Sequence, residues 1–174
     1  PRVVPSFPAC RSSHLDMDGV LVDLPELEKV DPSIREECMA WQAEQEALYP
    51  DKEIHHSDFE GLFATLKPME GAVEAIDTLM SDFDVFLLST APWANTRSWS
   101  DKRRWVEKYL PNLAQKHLIL THRKDLNRGA FLIDDRPNNG AMGFGEQEGQ
   151  EWIHFGSGEF PGWPSVLSYL EGKA

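Results

Sequence analysis

The chain is short of positive charge. Seventeen lysines and arginines stand against 29 aspartates and glutamates in 174 residues, a formal net charge of −12 at pH 7. A general nucleic-acid binder needs clustered Lys and Arg for its phosphate contacts, so this balance argues against that class and gives weight to any cation near a site. Cysteine is scarcer still. Cys10 and Cys38 are the only two, with no C-x-x-C pair and no Cys/His ligand spacing, so neither a disulfide framework nor a structural zinc site is indicated. A reduced, cytoplasmic compartment is the expectation. No apolar run approaches bilayer length, and the opening residues lack the basic-then-apolar layout of a signal peptide, so no membrane partner is expected. Internal repeats and low-complexity segments are missing too. The length suits one domain with a sizeable core and a small insertion, but not two full domains.

What the chain does have is a concentration of carboxylates where its pattern changes. Leu15-Asp16-Met17-Asp18-Gly19-Val20-Leu21-Val22-Asp23 reads D-x-D-G-V-L-x-D. Two carboxylates two residues apart, with a sharp turn at Gly19, bring side chains and a main-chain carbonyl toward one spot, and such hard oxygens suit Mg²⁺. Most Asp-rich turns are simply solvated loops. An EF-hand is excluded by its spacing, which needs oxygen ligands at positions one, three and five, glycine at six and glutamate at twelve. Counting from Asp16, the last three of these are Val20, Leu21 and Leu27. The meaning of the motif therefore rests on what other segments bring to the same place.

From Lys67 onward, helical and strand patterns alternate. Gly71 to Met80 predicts a helix burying Val73, Ile76, Leu79 and Met80, and Val85 to Leu88 a strand that ends at Ser89. Ser98-Trp99-Ser100-Asp101 opens a helix that stops before Pro111. His117 to Leu120 and Phe131 to Ile133 read as strands leading to Lys124 and to Asp134-Asp135. Trp152 to Phe155 is the last strand, and Pro164 to Leu170 the final helix. This alternation implies right-handed βαβ units, hence an α/β, Rossmann-like parallel sheet with helices on both faces and a ligand crevice outside the carboxyl ends of the strands. Asp16, Ser89, Lys124 and Asp134 would share that edge. A Ser-Thr after a strand is usually only a cap or turn, but four such residues on one edge are much harder to obtain by chance.

Residues 23–70 read differently. Asp31-Pro32 predicts an N-cap and first helical position, with Ile34, Cys38, Trp41, Gln45 and Leu48 on one side until Tyr49-Pro50. Ser57-Asp58-Phe59-Glu60 is a capping box for a second short helix with Phe59, Leu62, Phe63 and Leu66 as its stripe. His55-His56 between them reads as solvated loop. The segment before Asp16 fits least well. A buried parallel strand should be continuously apolar, yet Cys10-Arg11-Ser12-Ser13-His14-Leu15 is mostly polar, and Pro5 and Pro8 separate Val3 and Val4 from the motif.

D-x-D-G, a Ser or Thr after a strand, a Lys, and a paired Asp after another strand, in that order, resemble the four motifs of the haloacid dehalogenase superfamily of phosphotransferases. Phe83-Asp84-Val85-Phe86 running into Ser89-Thr90-Ala91-Pro92-Trp93, then Trp99-Ser100-Asp101-Lys102 with Trp105-Val106, and Leu132-Ile133-Asp134-Asp135-Arg136, narrow the resemblance to the cytosolic 5′(3′)-deoxyribonucleotidase family. It extends from Leu15 to about Phe155. The resemblance implies a haloacid dehalogenase-like core from residues 1–22 and 71–174, with residues 23–70 as a small helical cap inserted after the first strand. It implies a Mg²⁺-dependent phosphomonoester hydrolase in which Asp16 is the nucleophile and the metal is held by the Asp16 carboxylate, the Asp18 main-chain carbonyl and Asp134. Asp18 would do the proton work, Ser89, Thr90 and Lys124 would hold phosphoryl oxygens, and Asp135 would orient Lys124 or a metal-bound water.

The implied substrate is a deoxynucleoside monophosphate, with Phe63 and Trp93 enclosing the base and Asn95 and Arg97 contacting its edge or the sugar. The plainer alternative is that Phe63 packs the cap and Trp93 shields the crevice. The expected partner is a small molecule without a stable nucleic-acid complex, and a homodimer stays open. Two other functions remain: a superfamily phosphatase acting on a sugar phosphate or a nucleic-acid end, because the cap sets the substrate, and a non-catalytic phosphate-binding module.

Overall fold

The computed structural model describes residues 12–113 and 115–173. Val3, Val4, Pro5, Pro8, Cys10 and Arg11 lie outside the described residues. Five strands, β1 (Ser12–Leu15), β2 (Asp84–Ser89), β3 (Leu118–Leu120), β4 (Phe131–Asp134) and β5 (Glu151–His154), form one parallel sheet in the order β3-β2-β1-β4-β5. The chain winds outward from β1 through β2 to β3, then returns to lay β4 on the other side of β1. The topological switch point therefore falls between β1 and β4, where a doubly wound sheet opens its crevice.

Side chains alternate across the sheet with period two. Leu15, Val85, Leu87, Phe131, Ile133 and Ile153 face one layer, made of helices α3 (Ala72–Leu79), α4 (Ser98–Tyr109) and α6 (Trp163–Leu170), which contribute Ala75, Ile76, Leu79, Trp105, Val106, Trp163 and Val166. Leu88 and Leu132 face the other layer, where the short α5 (Ala141–Gly145) packs Ala141 and Phe144. The complete burial of Phe144 contributes about 2–3 kcal/mol.

The polar first strand is accommodated. Its main chain pairs on both sides, Ser13 with Val85 and with Phe131, so ladder bonds do not depend on its side chains. His14 is buried on the α5 side, stacked on Phe86 and edge-on to Phe144, each at 5.7 Å between centroids. A Cβ at position 129 would fall 2.3 Å from His14 Nδ1, so Gly129 provides the space for that ring.

Residues 23–67 leave the sheet after β1 and return through a bridge between Val22 and Pro68, with Met69 N donating to Leu21 O at 2.8 Å. Helix α1 (Arg35–Leu48) begins three residues beyond Pro32, because the Asp31 carboxylate closes a turn on Ser33 N and Oγ rather than capping the helix. Cys38 is its only buried residue. The capping box at Ser57 does not form: His56–Asp58 is a 3-10 turn, Glu60 accepts from Thr96, and Gly61 at φ +100° delays α2 to Leu62–Thr65. Helix α2 packs on α4, and Asn95 ties the excursion to the core through Nδ2 bonds to Ser57 O (3.0 Å) and Phe59 O (2.8 Å). Among the described residues no helix is long and apolar enough to cross a membrane.

Candidate active site

Asp16 follows β1 directly, and the chain then folds back on itself. Leu21 N and Val22 N donate to Met17 O at 2.8 and 2.9 Å, and Gly19 N donates to Val22 O at 2.8 Å. Gly19 sits at φ +75°, a conformation that favours glycine, and a Cβ there would lie 2.3 Å from Asp135 Oδ2. The glycine of D-x-D-G thus serves two ends: it makes the turn, and it lets the carboxylate from the β4 end come close.

Three strand ends converge on that turn. Carboxylate oxygens of Asp16, Asp134 and Asp135 lie within 4.8 Å of one another. Lys124, from a 3-10 turn after β3, places Nζ 2.5 Å from Asp134 Oδ2 and 3.1 Å from Asp16 Oδ2. Met17 N donates to Asp16 Oδ1 at 2.8 Å, and Arg136 N to Asp134 Oδ1 at 3.1 Å, so the two buried carboxylates are also fixed by main chain. Asp135 is bound by Arg136 Nε at 3.1 Å; Lys124 pairs with Asp134 and Asp16, not with Asp135.

The cluster is electrostatically loaded. Burial, helped by the neighbouring Asp16 carboxylate, pushes Asp134 up to about 7 against the opposing pull of Lys124. Burial also raises Asp18 against the pull of Lys102. Lys124 is held above its ordinary value: burial works against its charge, and Asp16 and Asp134 together outweigh burial. Three close carboxylates facing one ammonium form a set of hard oxygen donors with negative charge to spare, which fits a divalent cation such as Mg²⁺.

A cleft of about 270 Å³ opens over the cluster. Asp16, Asp18, Thr90, Lys124, Asp134 and Asp135 line it, as do Leu24, His55, Ser57, Pro92, Arg136, Asn138 and Asn139. Ser89, the last residue of β2, is fully buried just beneath, its Oγ accepting from Lys102 Nζ at 3.0 Å. The four residues expected to meet the base or sugar lie elsewhere. Phe63 is buried under Lys102, 4.8 Å from ring centroid to Nζ, and Asn95 is buried in its tether to the excursion. Trp93 is 82% exposed beside His122, and Arg97 approaches Gly61. His55, expected to be solvated, is exposed and lines the cleft, whereas His56, expected to be solvated too, is buried with Nε2 on Pro25 O at 2.7 Å. Arg136, Asn138 and Asn139 follow the paired aspartates so closely that their place on the rim could have been inferred; His55, Ser57 and Leu24 carried no such signal.

Residues 13–147 match the family described as 5′ nucleotidase, deoxy (Pyrimidine), cytosolic type C protein. A protein of Vibrio phage KVP40 with the provisional name 5′(3′)-deoxyribonucleotidase is 47% identical over 157 residues, covering 90% of this chain and 82% of that one. The chain belongs to this 5′-nucleotidase family. Membership makes it a phosphatase of the nucleotidase class. A Bordetella pertussis protein with the same provisional name is 40% identical over 78 residues, 44% of this chain and 42% of that one. Among solved structures, a hydrolase from Streptococcus pneumoniae TIGR4 aligns over 94% of this chain and 100% of that chain, with a TM-score of 0.49 and 13% identity. The Asp16, Ser89, Lys124 and Asp134 positions all fall within the residues matched to the 5′-nucleotidase family.

Proposed function

We propose that the chain is a Mg²⁺-dependent 5′(3′)-deoxyribonucleotidase that releases phosphate from deoxynucleoside monophosphates in the cytosol. The observation that carries this reading is the convergence of Asp16, Asp134 and Asp135 with Lys124 at the switch point, in a cleft reached from solvent. A phosphomonoester dianion repels an attacking carboxylate, so positioning and charge neutralisation supply most of the rate. Asp16, the Asp18 main-chain carbonyl and Asp134 would hold the metal, which when bound neutralises charge between the nucleophile and the phosphoryl group.

The chain's own residues then divide the work. An Asp16 carboxylate oxygen bonds to phosphorus as the bond from phosphorus to the sugar oxygen breaks, and a proton on Asp18 passes to that oxygen so that the leaving group departs as an alcohol. Water then attacks the aspartyl-phosphate, Asp18 takes its proton, and Asp16 is regenerated as phosphate leaves. Lys124 and Thr90, which line the cleft, orient the phosphoryl oxygens, Ser89 lies beneath them as an anchor for Lys102, and Asp135 supports the cluster from the Gly19 side. Residues 23–70 act as the cap, contributing His55 and Ser57 to the rim.

One observation favours a broader substrate range: among the described residues the cleft lining holds no Phe, Tyr or Trp, so they do not build base stacking into it. A panel of deoxynucleoside 5′- and 3′-monophosphates, sugar phosphates and phosphorylated oligonucleotide ends, assayed with Mg²⁺ and with EDTA, tests both. Metal-dependent turnover strongest on deoxynucleotides is expected. Turnover strongest on sugar phosphates would move the assignment to the broader phosphatase, and no turnover on any member would leave a phosphate-binding module.

A further inference from the structure

Lys102 is the largest side chain in the core that carries a charge and has no part in the chemistry described above. It lies one turn into α4 and is 1% exposed. A buried ammonium is tolerated only when its protons are met, and here all three are: Asp18 Oδ2 at 2.7 Å, Ser89 Oγ at 3.0 Å and Thr90 O at 2.8 Å. The Phe63 ring lies against the same ammonium, its centroid 4.8 Å from Nζ. With no donor left over, Lys102 cannot bind a phosphoryl oxygen as Lys124 can.

We propose that Lys102 is a positioning residue that fixes the Asp18 carboxyl for proton transfer to the leaving group. The Ser89 and Thr90 oxygens at the end of β2 anchor the ammonium, and the ammonium in turn holds one oxygen of Asp18. The other, Oδ1, is buried and makes no hydrogen bond, while Asp18 itself lines the cleft. By holding Oδ2, Lys102 fixes the plane and orientation of the Asp18 carboxyl at the edge of the cleft, where the proton must pass to the sugar oxygen. An Asp18 released from this clamp could rotate both oxygens toward Lys124 or solvent and lose its alignment. The inference rests on the phosphatase reading, and specifically on Asp18 as the acid of the first half-reaction.

The leaving group separates this role from a merely structural one. A deoxynucleotide expels a sugar alkoxide that needs a proton, whereas p-nitrophenyl phosphate expels a phenolate that needs almost none. The ratio kcat/KM reports the steps through loss of the leaving group and is not affected by later hydrolysis of the intermediate. Lys102→Met keeps the length and apolar stem of the side chain and removes its donors. Its kcat/KM should fall about 100-fold or more on a deoxynucleoside 5′-monophosphate and less than about fivefold on p-nitrophenyl phosphate. Equal losses on the two substrates would overturn the inference alone. An intact chain that turns over neither substrate would overturn it together with the reading beneath it.

Removing one partner of a buried ion pair endangers folding. The double variant Asp18→Asn/Lys102→Met removes both charges and is compared with Asp18→Asn. If Lys102 acts through Asp18, the second substitution adds less than about fivefold to the loss on the deoxynucleotide. A further loss near 100-fold would show that Lys102 works by another route.

Discussion

The floor and the rim of the cleft are built in opposite ways. On the floor, Asp16 and Asp134 are buried at strand ends, each accepting a main-chain N–H, and both are bonded to one buried lysine. On the rim, His55, Ser57, Leu24, Asn138 and Asn139 sit in loops, and the excursion that supplies the first three carries a helix with a single buried residue. Groups that must meet a phosphorus atom within tenths of an ångström are set by sheet register. Groups that select what lies beyond the phosphate hang on segments that tolerate change. If the floor carries the chemistry and the rim the choice of substrate, as proposed, substitutions should separate them.

The floor should break first and hardest. Asp16→Asn replaces the proposed nucleophile with an amide and removes one charge from the acidic cluster, so turnover should fall by about 10⁴-fold or more, as it should for the intact chain in EDTA. Asp18→Asn should lose about 10²- to 10⁴-fold, because on the proposed mechanism proton transfer fails while the nucleophile remains. Isothermal titration with Mg²⁺ sharpens the contrast: Asp18→Asn should still bind the ion, since the proposed ligand at that position is the main-chain carbonyl. If Asp18→Asn lost the metal as fully as Asp16→Asn, the division between nucleophile and proton carrier would have to be withdrawn.

The link between floor and rim is the next test. Asn95 donates to Ser57 O and Phe59 O and accepts from Ser98 N at 2.9 Å, all within a buried site. Asn95→Ala leaves those groups without partners and should destabilise the chain by about 2–4 kcal/mol in urea unfolding. Activity of the folded fraction on p-nitrophenyl phosphate should stay near that of the parent, because the floor is anchored by the sheet. An equal collapse of chemistry would mean that floor and excursion act as one unit.

Legibility in the sequence follows the same division. The strand ends were readable because Val85 to Leu88 and Phe131 to Ile133 are apolar runs stopped by Ser89 and Asp134. The polar β1 was not, since its core position depends on His14 fitting between Phe86 and Phe144 with Gly129 behind it, contacts that join distant segments. The short α5 escaped because Gly140, Gly143 and Gly145 disguise a helix that only Ala141 and Phe144 anchor. The rim residues had no periodicity to betray them, and the aromatics that did have it, such as Phe63, turned out to be core.

His14 offers a smaller effect, just beneath the floor. Its Nδ1 is buried without a partner, and burial lowers its pKa to about 4. His14→Leu should therefore stabilise the chain by about 1–2 kcal/mol at pH 7. As pH falls through 6.5 the unfolded chain takes up a proton that the folded His14 refuses, so the parent loses stability progressively down to about pH 4 and the variant is spared this loss. The gap between them should widen over that window in urea titrations; a constant gap would show that His14 is not the group refusing the proton.

The smallest effect lies on the rim and decides where the nucleoside goes. His55 lines the cleft, with Nδ1 taken up by Ser57 N and Oγ, so Nε2 is the ring nitrogen left to meet a base or sugar. Trp93 stands outside the lining, exposed beside His122. If binding energy beyond the phosphate comes from the cleft, His55→Ala should lower kcat/KM for a deoxynucleotide about tenfold and leave p-nitrophenyl phosphate within about twofold, since only the larger substrate uses that contact. Trp93→Ala should then change either substrate less than about threefold. The reverse pattern, a selective loss on the deoxynucleotide from Trp93→Ala alone, would place the base outside the cleft against Trp93 and His122, and the loop after β2 would replace the excursion after β1 as the part that sets the substrate.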